Sequence, residues 1–511
     1  MANISKLSLA ALRDWLLSQV REQVFWHNSK SDGTGTMVAS VMVYIPRFRV
    51  PAGIWEGWPP VEIKSPGFWF DKYPCSQPDA TSQSRGSTSP NSPGLVAAVS
   101  QAGVVPWTDI NQPNSKIVCS NRKINGRSCH LITLEEARAV MFVKELIGHV
   151  LYGNNYWGRD YRDPASWEYY GEPDPVVASY TKQYSPTGYS RVLTGTGPNK
   201  WAHNGLAIGG AMDFISFWQW TDFEITDGRY QAVKKAAIND VDGITAADTA
   251  IVIDGVEKPE FWPVNNGLVL IKAEGTNTDE YVIYDSFVDN GDGTYTLSGC
   301  QRGQKGTAAS AHANDALVQQ ITDYCVIPGG WTAKIADAGL DNTANPATFT
   351  YSDLVLGPGG ANPAVNDVLQ CQNEQLIITA VNGNSITVSR GANGSTVAAH
   401  AQGIGIARIS PQMTNDNVAA TGDYGAYQFN RIVSFRTEPE LLALGLPASV
   451  SSGGSSRFGD GFWLRVYGQR AGLVGGDWAN GSNVARGWAV NLIYPPSYAN
   501  FFIAPRAALR L

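Results

Sequence analysis

The residues in this chain best suited to chemistry are few and scattered. Six histidines, His27, His130, His149, His203, His312 and His400, form no HxxxH or HExxH pair, so no two stand one helical turn apart to share a metal. Six cysteines, Cys75, Cys119, Cys129, Cys300, Cys325 and Cys371, include no CxxC, and in a chain this long they do not amount to a disulfide scaffold. Asp240-Val241-Asp242-Gly243 and Asp289-Asn290-Gly291-Asp292-Gly293 alternate oxygens as a hard cation requires. Neither reaches a Glu at the twelfth position, so both read as turns and a structural calcium ion stays open. Gly195-Thr196-Gly197-Pro198-Asn199-Lys200 lacks the GxxxxGK[ST] order of a phosphate loop, and no GxSxG elbow occurs. No cofactor is required by any of these patterns, and catalysis is not expected from them.

The unusual chemistry lies in the tail. From Gly475-Gly476-Asp477-Trp478 to Ile503-Ala504-Pro505-Arg506, aromatic residues are mixed with Asn, Ser and Gly. That is the palette of a paratope, in which rigid rings give contact area at low entropic cost and small polar groups adapt their hydrogen bonds. The competing reading is that the rings fill a core. Pro495-Pro496 and the glycines interrupt any continuous core strand, which favours a binding surface.

The elements that would carry such a surface can be read more coarsely. At 511 residues the chain is long enough for about three domains at roughly 150 residues each. Charged residues make up only 16% while Gly 53 and Pro 28 are plentiful, which points to a loop-rich, β-leaning protein. A net charge of −7 without a basic run argues against a nucleic-acid partner. No run approaches the roughly 18 apolar residues of a membrane span, and no basic-then-apolar leader of the Sec type opens the chain. Residues 8–24 form an amphipathic run, Leu9, Leu12, Leu16, Val20 and Val24, that reads as a docking or oligomerising helix, so a homo-oligomer is open.

Thr133-Leu134-Glu135-Glu136 has capping-box spacing and predicts a helix over about 134–151. Residues 76–93, rich in Ser and Pro, and 152–204, rich in Tyr, Trp, Gly and Pro, read as loops. Between about 231 and 410 the texture changes and an internal repeat appears. Arg302-Gly303 through Ala311-His312-Ala313 recurs at one constant offset as Arg390-Gly391 through Ala399-His400-Ala401, each copy after a pair of strand-like runs. The economical organisation is one domain from 1–230 and 411–511, split by two small β modules, 231–325 and 326–410.

On Phe68-Trp69-Phe70-Asp71-Lys72-Tyr73, Gly103-Val104-Val105-Pro106-Trp107, His130 to Glu136, Asn204-Gly205-Leu206 to Trp218-Gln219-Trp220 and the tail, the outer segments resemble the formylglycine-generating-enzyme-like branch of the C-type lectin fold. The fold implied is α+β. Within that branch the tail resembles the variable proteins of diversity-generating retroelements, including phage tropism determinants: Gly475 to Trp478, Asn480-Gly481, Pro496-Ser497 and Ala504-Pro505-Arg506 match their fixed points. The resemblance implies ligand-facing residues at Trp478, Ala479, Ser482, Asn483, Val484, Trp488, Asn491, Ile493, Tyr494, Tyr498, Asn500, Phe501, Phe502 and Ile503. It implies receptor recognition of a protein or cell-surface ligand, at a phage tail or an extracellular surface. Gln77-Pro78-Asp79 resembles the tripeptide with which many lectins hold calcium, but lies far from the C-terminal strands, so it reads as chance. The alternatives are a formylglycine-generating oxidoreductase, which would need a C-terminal cysteine pair that is missing after Cys371, and a structural virion component.

Overall fold

The computed structural model describes residues 8–176, 191–273, 278–409, 426–429, 431–451, 458–478 and 487–510. It is mostly β, 38% strand and 12% helix, compatible with an α+β or mainly β class. No helix among the described residues is long and apolar enough to cross a membrane. The chain divides into two compact units, Arg229–Cys325 and the remainder.

In the larger unit the first helix, Leu9–Ser18, is capped by the Ser8 hydroxyl and buries Leu12 and Leu16. It ends well before the expected Val24. Residues Glu22–Asn28 instead pair antiparallel with Met37–Ile45, and the reason is local: Phe25 and His27 are buried while Val24 and Trp26 face outward, a period of two that a helix cannot satisfy. The helix Leu134–Ile147 has the reciprocal Thr133–Glu136 capping box and stops at Gly148, whose φ of 72° is the left-handed cap, three residues inside the expected limit of 151. A further helix, Gln112–Asn121, begins at the side-chain cap of Asn111.

One sheet has the order Glu22–Asn28, Met37–Ile45, Phe68–Asp71, Ala507–Arg510, His130–Leu131, so the C-terminal strand closes between strands from the first third of the chain. Two buried arginines hold it there. Arg506, fully buried, donates to Gln219 Oε1 at 2.7 Å and to the carbonyls of Asp71, Lys72 and Met212. Arg122 pairs with Asp71 at 2.7 Å, and the same carboxylate oxygen accepts the Ala507 N–H at 3.0 Å. A second set of strands runs from Trp218–Thr226 through Gln469–Gly475 and Val490–Leu492 to Phe462–Arg465, with Ile503–Ala504 parallel to Trp218–Gln219. Trp107, Trp218, Trp220, Leu473 and Ile503 share the core between these layers.

The repeat-bearing segments build two barrels of one design. In Arg229–Cys325 six antiparallel strands close a ring, the last pairing being Ala237 and Ile238 with Asp254 and Ile253. Numbered within each segment, the ring order is first, second, fifth, fourth, third, sixth. The closed barrel of Trp331–Ile335, Ala347–Leu356, Val368–Cys371, Glu374–Asn382, Ser385–Ser389 and Gly405–Arg408 has the same order.

Candidate functional site

The tail is held by buried anchors at the bases of its strands. Gly475 has a φ of 93°, and a Cβ there would lie 2.1 Å from the Phe214 carbonyl oxygen, so the first fixed glycine is required by close approach of two backbones. Trp478 follows, 2% exposed, its ring against Trp157 at 4.9 Å and Phe501 at 5.8 Å. Trp488 is 1% exposed, with its indole N–H donated to Glu145 Oε1 at 3.0 Å and its backbone N–H to Asp460 Oδ2 at 2.6 Å. Asn491 lies within Val490–Leu492, where its side-chain oxygen accepts the Ile493 N–H, and Ile503 is wholly buried.

These four positions, Trp478, Trp488, Asn491 and Ile503, correct the expectation of a ligand-facing role. Their neighbours are core residues, and in the two tryptophans and Ile503 the apolar surface is spent on the protein's own packing. Ala479, Ser482, Asn483 and Val484 lie outside the described residues.

The other expected positions do reach the surface, each half-buried: Ile493, Tyr494, Tyr498, Asn500, Phe501 and Phe502. A turn closed by the Tyr498 N–H on the Pro495 carbonyl folds the Pro495-Pro496 segment back, so that the Tyr494 and Tyr498 rings stack with centroids 4.1 Å apart and planes 12° from parallel. Asn500 Nδ2 donates to the Tyr498 hydroxyl at 2.6 Å. The Phe501 carbonyl accepts from buried Arg191 at 2.7 Å, and the Phe501 and Phe502 rings meet edge to face at 5.5 Å. Ile493, Tyr494, Tyr498 and Phe502 rest on the main core, so the patch is a fixed surface of rings with polar edges. Burial and the neighbouring Tyr498 push the Tyr494 phenol up to about 12, which keeps it neutral and able to donate.

The acidic loops read as turns close on themselves. Asp240 accepts the Asp242 N–H, Asp289 the Gly291 N–H and Asp292 the Thr294 N–H, while Gln77 and Asp79 accept from Thr88 and Ser87 across their own loop. Among the described residues no three His, Cys, Asp or Glu side chains stand where they could share a metal.

The repeat has a chemical centre that its sequence copies only half reveal. In the first barrel, buried Glu280 takes both guanidinium bonds of Arg302 at 2.8 Å, the His312 Nε2 at 3.0 Å and the N–H groups of Gly303 and Ser310. In the second, Glu374 takes Arg390 at 2.7 Å, His400 Nε2 at 2.8 Å and the N–H groups of Gly391 and Ala398. Each Arg also bonds loop carbonyls, those of Thr245, Asp248 and Ser310 in one copy and of Asp341 and Ala398 in the other. With the carboxylate saturated by charged and backbone donors in both copies, this is a clasp that fixes a loop to the start of a strand. His400 Nδ1 is bonded to Gln372 as well, whereas the buried His312 Nδ1 has no such partner among the described residues. The two glutamates escaped sequence reading because their spacing to the Arg differs between copies. Their signal is a Glu at the start of each strand-like run, Glu280-Tyr281-Val282-Ile283 and Glu374-Gln375-Leu376-Ile377.

No family model matches this chain, and neither does any curated protein.

Proposed function

We propose that this protein is a ligand-binding variable protein: a C-type-lectin-like α+β domain, residues 1–230 and 411–511, carrying two inserted β modules and displaying its C-terminal surface to a protein or cell-surface receptor. The observation that carries the reading is the partly buried, pre-stacked Tyr494–Tyr498 pair, braced by Asn500 and flanked by Ile493, Phe501 and Phe502. Rings already fixed in place lose little entropy on binding, and aromatic anchors of this kind dominate interface energies. The closing of the C-terminal strand onto the first sheet agrees with a domain whose two ends are drawn together. The site is receptor recognition at a phage tail or an extracellular surface, and it needs neither a cofactor nor catalysis.

Sequencing the encoding locus in sibling isolates tests the variable character. Codon changes confined to residues 478–503, with a near-copy of that stretch beside a reverse transcriptase, support it; a uniform tail with no such copy removes it and leaves a binder of fixed specificity.

A further inference from the structure

A second, chemically different concavity lies apart from the aromatic patch, at the junction of the helix Gln112–Asn121, the strand His130–Leu131 and the C-terminal strand. It is an open groove of about 510 Å³ whose lining includes Lys116, Ile117, His130, Leu131, Asp222 and Arg510. That volume falls within the range of small-molecule sites.

Most polar groups around it are already engaged. Glu136, wholly buried beneath the pocket, accepts from His130 Nε2 at 2.9 Å, Arg510 Nε at 2.9 Å and the Thr133 N–H at 3.0 Å. Ser120 donates to the Ile117 carbonyl, Thr133 caps its helix and Lys116 bonds Glu224 at 2.6 Å. Two charged groups remain unsaturated. Among the described residues the Arg510 guanidinium is bonded through Nε alone, which leaves its two Nη groups as an open edge on a side chain 48% exposed. Among the described residues Asp222 receives the backbone N–H of Leu134 and no side-chain donor. Solvent reaches it through the mouth of the pocket, yet the surrounding walls and the charge of Glu136 push its carboxyl up to about 6. Ile117, 42% exposed, and Leu131 add an apolar wall between them.

We propose that this pocket binds a small zwitterion of the α-amino-acid class, its carboxylate on the Nη edge of Arg510, its ammonium on Asp222 and its aliphatic part against Ile117 and Leu131. A fork of two N–H donors matches a carboxylate in bidentate fashion. An anionic group held with one donor is the one that gains most from an added cation. A simple anion would meet the unfavourable charge of Asp222, and a simple cation that of Arg510, so neither alone satisfies the pair.

The test is titration calorimetry of the full chain with three probes of one carbon skeleton: L-leucine, isoamylamine, which lacks the carboxylate, and 4-methylpentanoate, which lacks the amine. L-leucine is expected to saturate with a dissociation constant of about 1 mM, and each truncated probe to bind at least about tenfold more weakly. Asp222→Asn, with an unchanged melting temperature, is expected to weaken L-leucine about tenfold. Glu136, Lys116, His130 and Arg510 all face Asp222, so the pH arm is read as a difference: affinity rises between about pH 5 and 7 more steeply in the native chain than in Asp222→Asn. Absence of saturable L-leucine binding, equal binding of either truncated probe, or an Asp222→Asn protein that binds L-leucine as well as the native chain each overturns the proposal.

Discussion

Arg138 lies over the ring of Trp488, its guanidinium carbon 5.2 Å from the ring centroid, and donates through Nη2 to the Trp488 backbone carbonyl at 3.0 Å. The same guanidinium holds the carbonyls of Leu444 and Gly487. Arg138 and Glu145 project from the helix Leu134–Ile147, and together they grip the segment on which the last strands begin. The helix that the capping-box spacing announced is thus the base of the C-terminal surface.

Trp488→Ala is expected to cost about 3–5 kcal/mol of stability, because it empties a core site and orphans Glu145 from the indole N–H. Tyr498→Ala, at a half-buried position, is expected to cost about 1 kcal/mol or less in folding. Chemical denaturation of both variants measures the difference directly, and equal losses would contradict the division between anchors and surface rings.

Arg138→Met keeps much of the bulk but leaves the Leu444, Gly487 and Trp488 carbonyls without their shared donor. At about 1–3 kcal/mol for an unsatisfied buried group, a loss of at least 2 kcal/mol is expected from the midpoint of urea unfolding. Arg138→Lys should recover only part of it, since one ammonium cannot reproduce a planar fork.

The clasps predict parallel behaviour in the two barrels. Glu280→Gln and Glu374→Gln each remove the charge facing a buried Arg, with an expected cost of about 3–5 kcal/mol in the barrel affected. Both carboxyls are held below their ordinary range by the bonds they accept from Arg, His and backbone N–H groups, against the opposing effect of burial. A lowered carboxyl stabilises the fold above its unfolded-state value, and that contribution disappears as pH falls through the lower folded value. The hydrogen-exchange protection factors of both barrels should therefore fall together below about pH 4.3, the unfolded-state value of Glu.

Two buried histidines predict acid sensitivity at a higher pH. His27, bonded to Ser40 at 2.8 Å, is pushed down to about 4, and His203, which accepts the Ala211 N–H, to about 3; in each, burial is the largest cause. The unfolded chain protonates them near 6.5 while the folded chain does not, so stability falls as pH drops below about 6.5, by up to about 3 kcal/mol per pH unit while both contribute. Thermal melts between pH 7 and 5 check this, and His203→Gln should flatten the slope.

What could be read from sequence followed the strength of its periodic and turn signals. The Thr133–Glu136 capping box and the Arg-Gly to Ala-His repeat are local patterns, and both lead to real structural units. The helix Gln112–Asn121 was not legible, because Pro113, Asn114, Ser115 and Ser120 leave it only Ile117, Val118 and Cys119 as apolar residues, and its cap is a lone Asn. At the tail, composition marked the aromatic segment but could not sort it. Trp488 and Tyr498 look alike as binding anchors, and only the long-range contacts of Arg138, Glu145 and Asp460 make one of them core. The partner of each repeat Arg was hidden for a similar reason, since strand pairing brings Glu280 and Glu374 to it from different separations.

The most direct test of the central claim compares adsorption of the native protein and of a Tyr494→Ala, Tyr498→Ala double variant to a panel of intact bacterial isolates, with fluorescence per cell as the readout. With melting temperatures matched, the account predicts saturable adsorption of the native protein to a subset of isolates and a loss of at least about 30-fold in the variant, as expected for two anchors of about 2 kcal/mol or more acting in part together. Undiminished adsorption by a correctly folded double variant, or no adsorption of the native protein to any isolate, would contradict it.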